Sequence, residues 1–267
     1  MGSLTEPTWL KILIALFSGG LLVKLFEYFY IQKVVDRKSA TQLINKNLDP
    51  IIKAANDLVG KISYLARSDF GDFKDNKRTE ELELSAWFTY LDTIYLFTQL
   101  WARIQILRLE GLYINLSLNK HGARLLDFID ALETRKNGIV KRAWQRGMGE
   151  LLIEQINDKY YSMTFAEFAD NFLSDAEFRR WFDPLVSLLE NLKYRKNRQK
   201  ILLYGVIVHA MLNTIDEKHQ VTRRKIECWP NKLSGKSRND LKFLIFKEHL
   251  NFVKIPEQYY LVQHNNE

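Results

Sequence analysis

Apolar positions recur along most of this chain at three- and four-residue intervals, the spacing of helices with one face turned inward, and one stretch departs from that pattern. Ile12 to Val23 is an uninterrupted, uncharged apolar run, with Trp9 before it and Phe26, Tyr28, Phe29 and Tyr30 after it. At about 1.5 Å per residue a helix from Trp9 to Tyr30 reaches roughly 33 Å, close to a hydrocarbon core of about 30 Å. Lys11 and Lys24 stand where long stems can snorkel, and the aromatic residues stand where interface belts form. A membrane-spanning helix is therefore expected, containing Trp9, Ala15, Gly19, Gly20 and Tyr30. A cleaved leader is disfavoured, because Met1 to Thr8 carries only Glu6 and Ser18-Gly19-Gly20 falls inside the run. A buried core helix is the other use of so short a run.

Lys33, Arg37, Lys38, Lys46 and Lys53 all follow the span, whereas only Lys11, at its edge, precedes Lys24. The positive-inside rule then puts the N-terminus outside and the bulk of the chain in the cytoplasm, at a bacterial inner membrane. The single cysteine, Cys228, agrees with a reducing compartment, since it leaves no internal disulfide to form.

Beyond the span the pattern is almost wholly helical. A stalk continues through Val34 and Val35 toward Leu43, and Asp49-Pro50 reads as a restart, with proline preset for a first turn. Ile51, Ile52, Ala55, Leu58, Val59, Ile62 and Leu65 form one amphipathic stripe, and Ser68 to Thr79 reads as a loop. Glu80 to Asn119 is the longest apolar segment and has no clean polar face, so it should be central; Asp92 and Gln99 disfavour a second span between Leu84 and Ala102. Shorter helices follow over His121–Leu132 and Ile139–Tyr160. Thr164 with Glu167, and Ser174 with Glu177, have the spacing of capping boxes that open two more. Tyr160, Tyr161, Phe165, Phe168, Phe172, Phe178, Trp181 and Phe182 crowd this region as an aromatic core layer. Ile201–Ile215 is a further apolar helix around His209, which reads as a satisfied core histidine.

The organisation expected is thus all-α: an anchor and stalk over 1–46, a helical-bundle domain over 47–217, and a small basic appendage over 218–267. The 267 residues, 46% hydrophobic and 27% charged, suit a folded protein, and the net charge of +7 suits anionic lipid headgroups or another anionic ligand. Nucleic acid is possible but not favoured.

Searches for catalytic chemistry return little. There are no cysteine pairs, no HExxH and no clustered histidines to hold a metal, and no Gly-rich phosphate loop; Gly147-x-Gly149 lacks the following Lys and Ser or Thr. No Arg stands four to six residues ahead of a His, the spacing that one class of membrane-linked helical ribonuclease requires. No catalytic residue, metal or cofactor is expected. One constellation remains: Arg103, Arg108 and Glu110 at the end of the apolar helix, and Arg142, Arg146 and Glu150 at three- and four-residue spacing on another. They read either as a salt-bridge seam that fixes helix register or as an anion pocket lined by guanidinium forks. Arg223, Arg224, Lys225, Lys236, Arg238 and Lys242 form a basic patch, suited to solubility, lipid contact or a second anionic surface.

Leu96-Phe97-Thr98-Gln99-Leu100-Trp101-Ala102-Arg103-Ile104-Gln105-Ile106-Leu107-Arg108-Leu109-Glu110 resembles a block of a widespread bacterial family of all-helical proteins without an assigned activity. Arg146-Gly147-Met148-Gly149-Glu150 and Glu177-Phe178-Arg179-Arg180-Trp181-Phe182 are similar to later blocks. The resemblance spans about Leu48 to Glu217 and implies an all-helical cytoplasmic domain behind a variable N-terminus. Where the family pattern carries an acid and a Gln, this chain has Ala102 and Met148.

The function expected is that of a non-enzymatic single-pass membrane protein whose helical domain binds a protein partner or an anionic ligand. Ala15-x-x-x-Gly19 allows close helix contact and hence a homo-oligomer. The alternative is an oligomeric effector that permeabilises the bilayer when triggered; a membrane-tethered hydrolase or nuclease is disfavoured by the missing motifs.

Overall fold

The computed structural model describes residues 21–73, 84–223 and 226–262. Most of the expected span, including Trp9, Ala15, Gly19 and Gly20, lies outside the described residues. Among the described residues the chain is helical apart from one short hairpin, and no helix is long and apolar enough to cross a membrane.

Helix α1, Leu21–Arg67, runs unbroken for 47 residues with Pro50 inside it. The restart expected at Asp49-Pro50 is absent, and the stalk and the first core helix are one element. An internal proline lacks the ladder N–H and crowds the preceding turn, at a cost of about 3 kcal/mol. Packing on both sides offsets this: Leu43 and Ile44 before it, and Ile51, Ile52, Ala55, Leu58 and Ile62 after it, are buried. From Phe26 to Lys38 the same helix is exposed on every side.

Helix α2, Leu84–Glu110, lies across α1 and is central as its pattern implies, with Leu91, Ile94, Phe97, Leu100, Trp101 and Ile104 buried. It stops at Glu110, and Leu112 and Tyr113 beyond it are exposed. Helix α3, Lys120–Glu133, starts at Asn119, whose side chain accepts from the backbone N–H groups of His121 and Gly122. Helix α4, Arg142–Leu151, packs along α2.

The helix expected through Tyr160 ends early. Strands β1, Ile153–Ile156, and β2, Lys159–Ser162, pair antiparallel with Ile153 opposite Ser162 and Ile156 opposite Lys159. Asn157 and Asp158 turn the chain with φ of 49° and 60°, the left-handed pair that two-residue hairpin loops demand. Asn and Asp reach that region more readily than most residues, so the hairpin outcompetes another helical turn.

Helix α5, Phe165–Ser174, opens with the expected capping box: Thr164 Oγ1 accepts from Glu167 N, and the Glu167 carboxylate accepts from Thr164 N at 2.8 Å. The next cap is displaced by one residue. Helix α6, Ala176–Arg180, is capped by the Asp175 carboxylate, while Ser174 Oγ donates back to Asp170 O. Helices α7, Asp183–Glu190, and α8, Arg195–Ile215, complete the bundle, and α8 is buried from Ile201 through Leu212. Phe168 anchors the aromatic layer against Tyr95, Phe172, Phe178 and Phe182, whereas Tyr161 and Trp181 stay exposed.

The segment expected as an appendage packs onto this same core through Trp229, Leu233, Leu241, Ile245, Phe246 and Tyr259. Its regular structure is short: α9, Gly235–Asn239, followed by a wider helical turn over Asp240–Phe246. Gly205 on α8 admits it, since a Cβ there would stand 2.8 Å from Ile62 and 2.9 Å from Trp229. Trp229 Nε1 donates to Leu202 O at 3.3 Å.

Candidate functional site

The arginines of the expected constellation meet an acid outside it, Glu133, the last residue of α3. Thr134 leaves the helix in extended conformation, and Asn137 Nδ2 returns a hydrogen bond to Ala131 O at 3.1 Å. That turn sets the start of α4 beside the end of α3. Arg142 and Arg146, one turn apart on α4, then reach the same carboxylate oxygen: Glu133 Oε2 accepts from Arg142 Nε at 2.7 Å and from Arg146 Nη2 at 2.8 Å. Oε1 accepts from Arg108 Nη1, on α2, at 2.6 Å. The Glu133 side chain is only 4% exposed. Burial by itself would raise its pKa, but the hydrogen bonds and charge of Arg108, Arg146 and Arg142 outweigh burial and hold the carboxyl at about 2. Glu133 is thus ionised at neutral pH and ties three helices together.

A second buried layer lies beside this cluster. Trp101 Nε1 donates to Tyr204 Oη at 2.8 Å, and Gln145 Nε2 reaches the same oxygen at 3.4 Å, which joins α2, α4 and α8. Burial pushes the Tyr204 phenol well above its ordinary range, so it stays neutral. Gly149 makes the approach of α4 possible: a Cβ there would lie 2.8 Å from the Trp101 carbonyl carbon and 3.1 Å from Ala102 N. The space bounded by Trp101, Gln105, Arg108, Glu133, Gln145 and Arg146 has no room for a water molecule. The arrangement is therefore a closed joint, with no nucleophile and no base near neutrality.

The other members of the constellation go elsewhere. Glu110 accepts from Lys46 Nζ at 2.7 Å and Asn47 Nδ2 at 2.8 Å, which fastens the end of α2 to α1. Glu150 is exposed and reaches the cluster only through Gln105 Nε2 at 3.5 Å. Arg103 is half-buried, and burial lowers its pKa while nearby Tyr95 opposes that. Glu133 and Gln145 are the residues that sequence reasoning passes over. Glu133 carried a signal, since it follows Leu125, Ile129 and Leu132 on the inward stripe of α3, where an acid needs a partner.

Of the basic patch, Arg223, Lys236 and Lys242 are exposed and Arg238 is half-buried; Arg224 and Lys225 lie outside the described residues. Arg223 takes a left-handed φ of 56°. His209 Nε2 lies 2.7 Å from Ile226 O, a core histidine tied to the C-terminal segment. Among the described residues no group of His, Cys, Asp and Glu is placed to hold a metal. Comparisons with protein-family models, with curated proteins and with solved structures find no match for this chain.

Proposed function

We propose that this protein is a membrane-tethered helical module without a reaction of its own, whose body recognises an anionic ligand or partner at the cytoplasmic face of the bilayer. The observation that carries the reading is the bare end of α1. Phe26, Tyr28, Phe29, Tyr30, Ile31, Val34 and Val35 are each at least half exposed, on a stretch of helix in which every residue from Phe26 to Lys38 is exposed among the described residues. At about 100° per residue these side chains point to every side of the helix, which suits lipid better than the single stripe of one partner helix. Tyr28, Tyr30 and the nearby Lys24 and Lys33 are the residue types that settle at headgroup level. The net charge of +7 adds attraction to an anionic leaflet.

The same bare stretch supports a second reading, in which copies of the chain gather through it and the assembly permeabilises the bilayer. Crosslinking in detergent separates the two, since a monomer would end the second.

Deleting residues 1–33 tests the tether. The full chain should stay with membranes through carbonate and high-salt washes, and the truncated chain should be released. Retention of the truncated chain would overturn the proposal.

A further inference from the structure

Between the start of α4, the surface of α7 and the start of α8 lies an open groove of about 430 Å³. That volume falls in the range of pockets for small organic ligands, roughly 300 to 1,000 Å³. Its walls combine two aromatic rings, Trp144 and Tyr194, two ammonium groups, Lys141 and Lys200, and two amides, Asn191 and Asn197. No carboxylate lines it.

Each part points toward a ligand that is both planar and anionic. Trp144 is 37% and Tyr194 56% exposed, large aromatic surfaces left in water. Trp181 stands edge-on to Trp144 with ring centroids 5.5 Å apart, which holds the indole in one orientation beside the groove. Lys193 Nζ lies 5.1 Å from the centre of the Tyr194 ring. Lys200 is half-buried, donates only to Ile139 O at 3.3 Å, and has no carboxylate within ion-pair distance among the described residues. Burial and the like charge of Lys196 both lower its pKa, as befits an ammonium that lacks a counter-charge. The segment that enters α8 is basic: Lys193, Arg195, Lys196, Arg198 and Lys200 fall within eight residues that contain no acid, while Asp183 and Glu190 at the two ends of α7 are exposed nearby in sequence. No side chain caps α8 at Tyr194, and its first turn has no acidic residue, so the local field adds to the attraction for an anion.

We propose that this groove binds a nucleoside phosphate, its base stacked on Trp144 or Tyr194 and its phosphate held by Lys200 and Lys141. Stacking on aromatic faces is tolerant of base identity, because every base has a π-face. Asn191 Nδ2 donates to Ser187 O and Asn197 Nδ2 to Asn191 O, so it is their amide oxygens that would select among bases. This inference rests on the proposed function in naming the class of its anionic ligand, and it places that ligand away from the Glu133 joint, where there is no room.

The test is calorimetric titration of the full chain in detergent with AMP, GMP, CMP and UMP, and separately with inorganic phosphate and adenosine. At least one nucleotide should bind saturably and quench tryptophan fluorescence, with phosphate and adenosine each at least tenfold weaker. Lys200→Met and Trp144→Leu should each weaken that binding at least tenfold. Lys141→Met, at an exposed position, should weaken it several-fold and serves if either of the others fails to fold. Absence of binding by all four nucleotides overturns the inference, as does binding unchanged in the variants. Phosphate binding as tight as nucleotide binding reduces the groove to a simple anion site, and an oligonucleotide bound a hundredfold tighter than AMP replaces the small ligand with a strand; either result also overturns it. Carbonate extraction of the same preparation reads the tether independently, so the two proposals fail separately.

Discussion

Replacing Glu133 by Gln removes one negative charge from beneath three guanidinium groups while keeping the side chain's shape. The cost follows from the carboxyl's depressed titration. Its ordinary pKa of 4.5 is lowered to about 2 in the fold, and since one pKa unit is worth about 1.4 kcal/mol, the ionised form is favoured by about 3 kcal/mol. Arg142 is 53% and Arg146 37% exposed, so solvent screens part of their attraction and of the repulsion left behind, and the expected loss is about 2–3 kcal/mol. The sign with pH is fixed. The folded pKa lies below the unfolded one, so the contribution is whole above about pH 4.5 and fades as pH falls toward 2. Urea unfolding of the wild type and Glu133→Gln, followed by tryptophan fluorescence at pH 7 and again near pH 3, measures both. A difference below about 0.5 kcal/mol at pH 7, or one that does not narrow at the lower pH, would refute the account of Glu133 as an ionised tie.

Three other substitutions probe separate joints. Gly149→Ala forces a methyl against the Trp101 and Ala102 backbone and should cost about 1–3 kcal/mol in the same unfolding experiment; a neutral result would mean that α4 and α2 do not touch there. Tyr204→Phe leaves the Trp101 indole N–H without its acceptor and should cost about 1–3 kcal/mol, with a shift in tryptophan emission as the direct sign. Asp158→Gly relieves a φ of 60° and should stabilise by about 0.5–1 kcal/mol; destabilisation would argue against a left-handed turn.

The number and type of helices were largely legible, because amphipathic spacing reports burial directly. The spacing of the arginines was legible too, since Arg142 and Arg146 lie one turn apart on α4 and so can reach one carboxylate. Which partner they take was not, because Glu133 meets them only through the turn at residues 134–141, and no spacing along the chain encodes that fold-back. Glu110 shows the converse: its place near the arginines in the pattern gives no hint that Lys46 and Asn47, more than sixty residues earlier, claim it first. Pro50 misled for a related reason, as local propensity describes the isolated helix whereas Ile44 and Ile51 are held by tertiary packing. The groove at Trp144 escaped the pattern because it is made where α4, α7, α8 and the turns leading into them meet, and none of these supplies more than three of its residues.

The continuity of α1 gives the molecule a lever. From Phe26 to Lys38 about 18 Å of helix stands clear of the body, and beyond it the same rod carries Leu58 and Ile62 into the core without a joint. A twist or pull applied near Phe26 is therefore delivered as torque to the contact with α8 instead of being absorbed by a linker. Pro50, where one rung of the ladder is missing, lies inside the packed stretch and not in the arm, since Leu43 and Ile44 ahead of it are already buried.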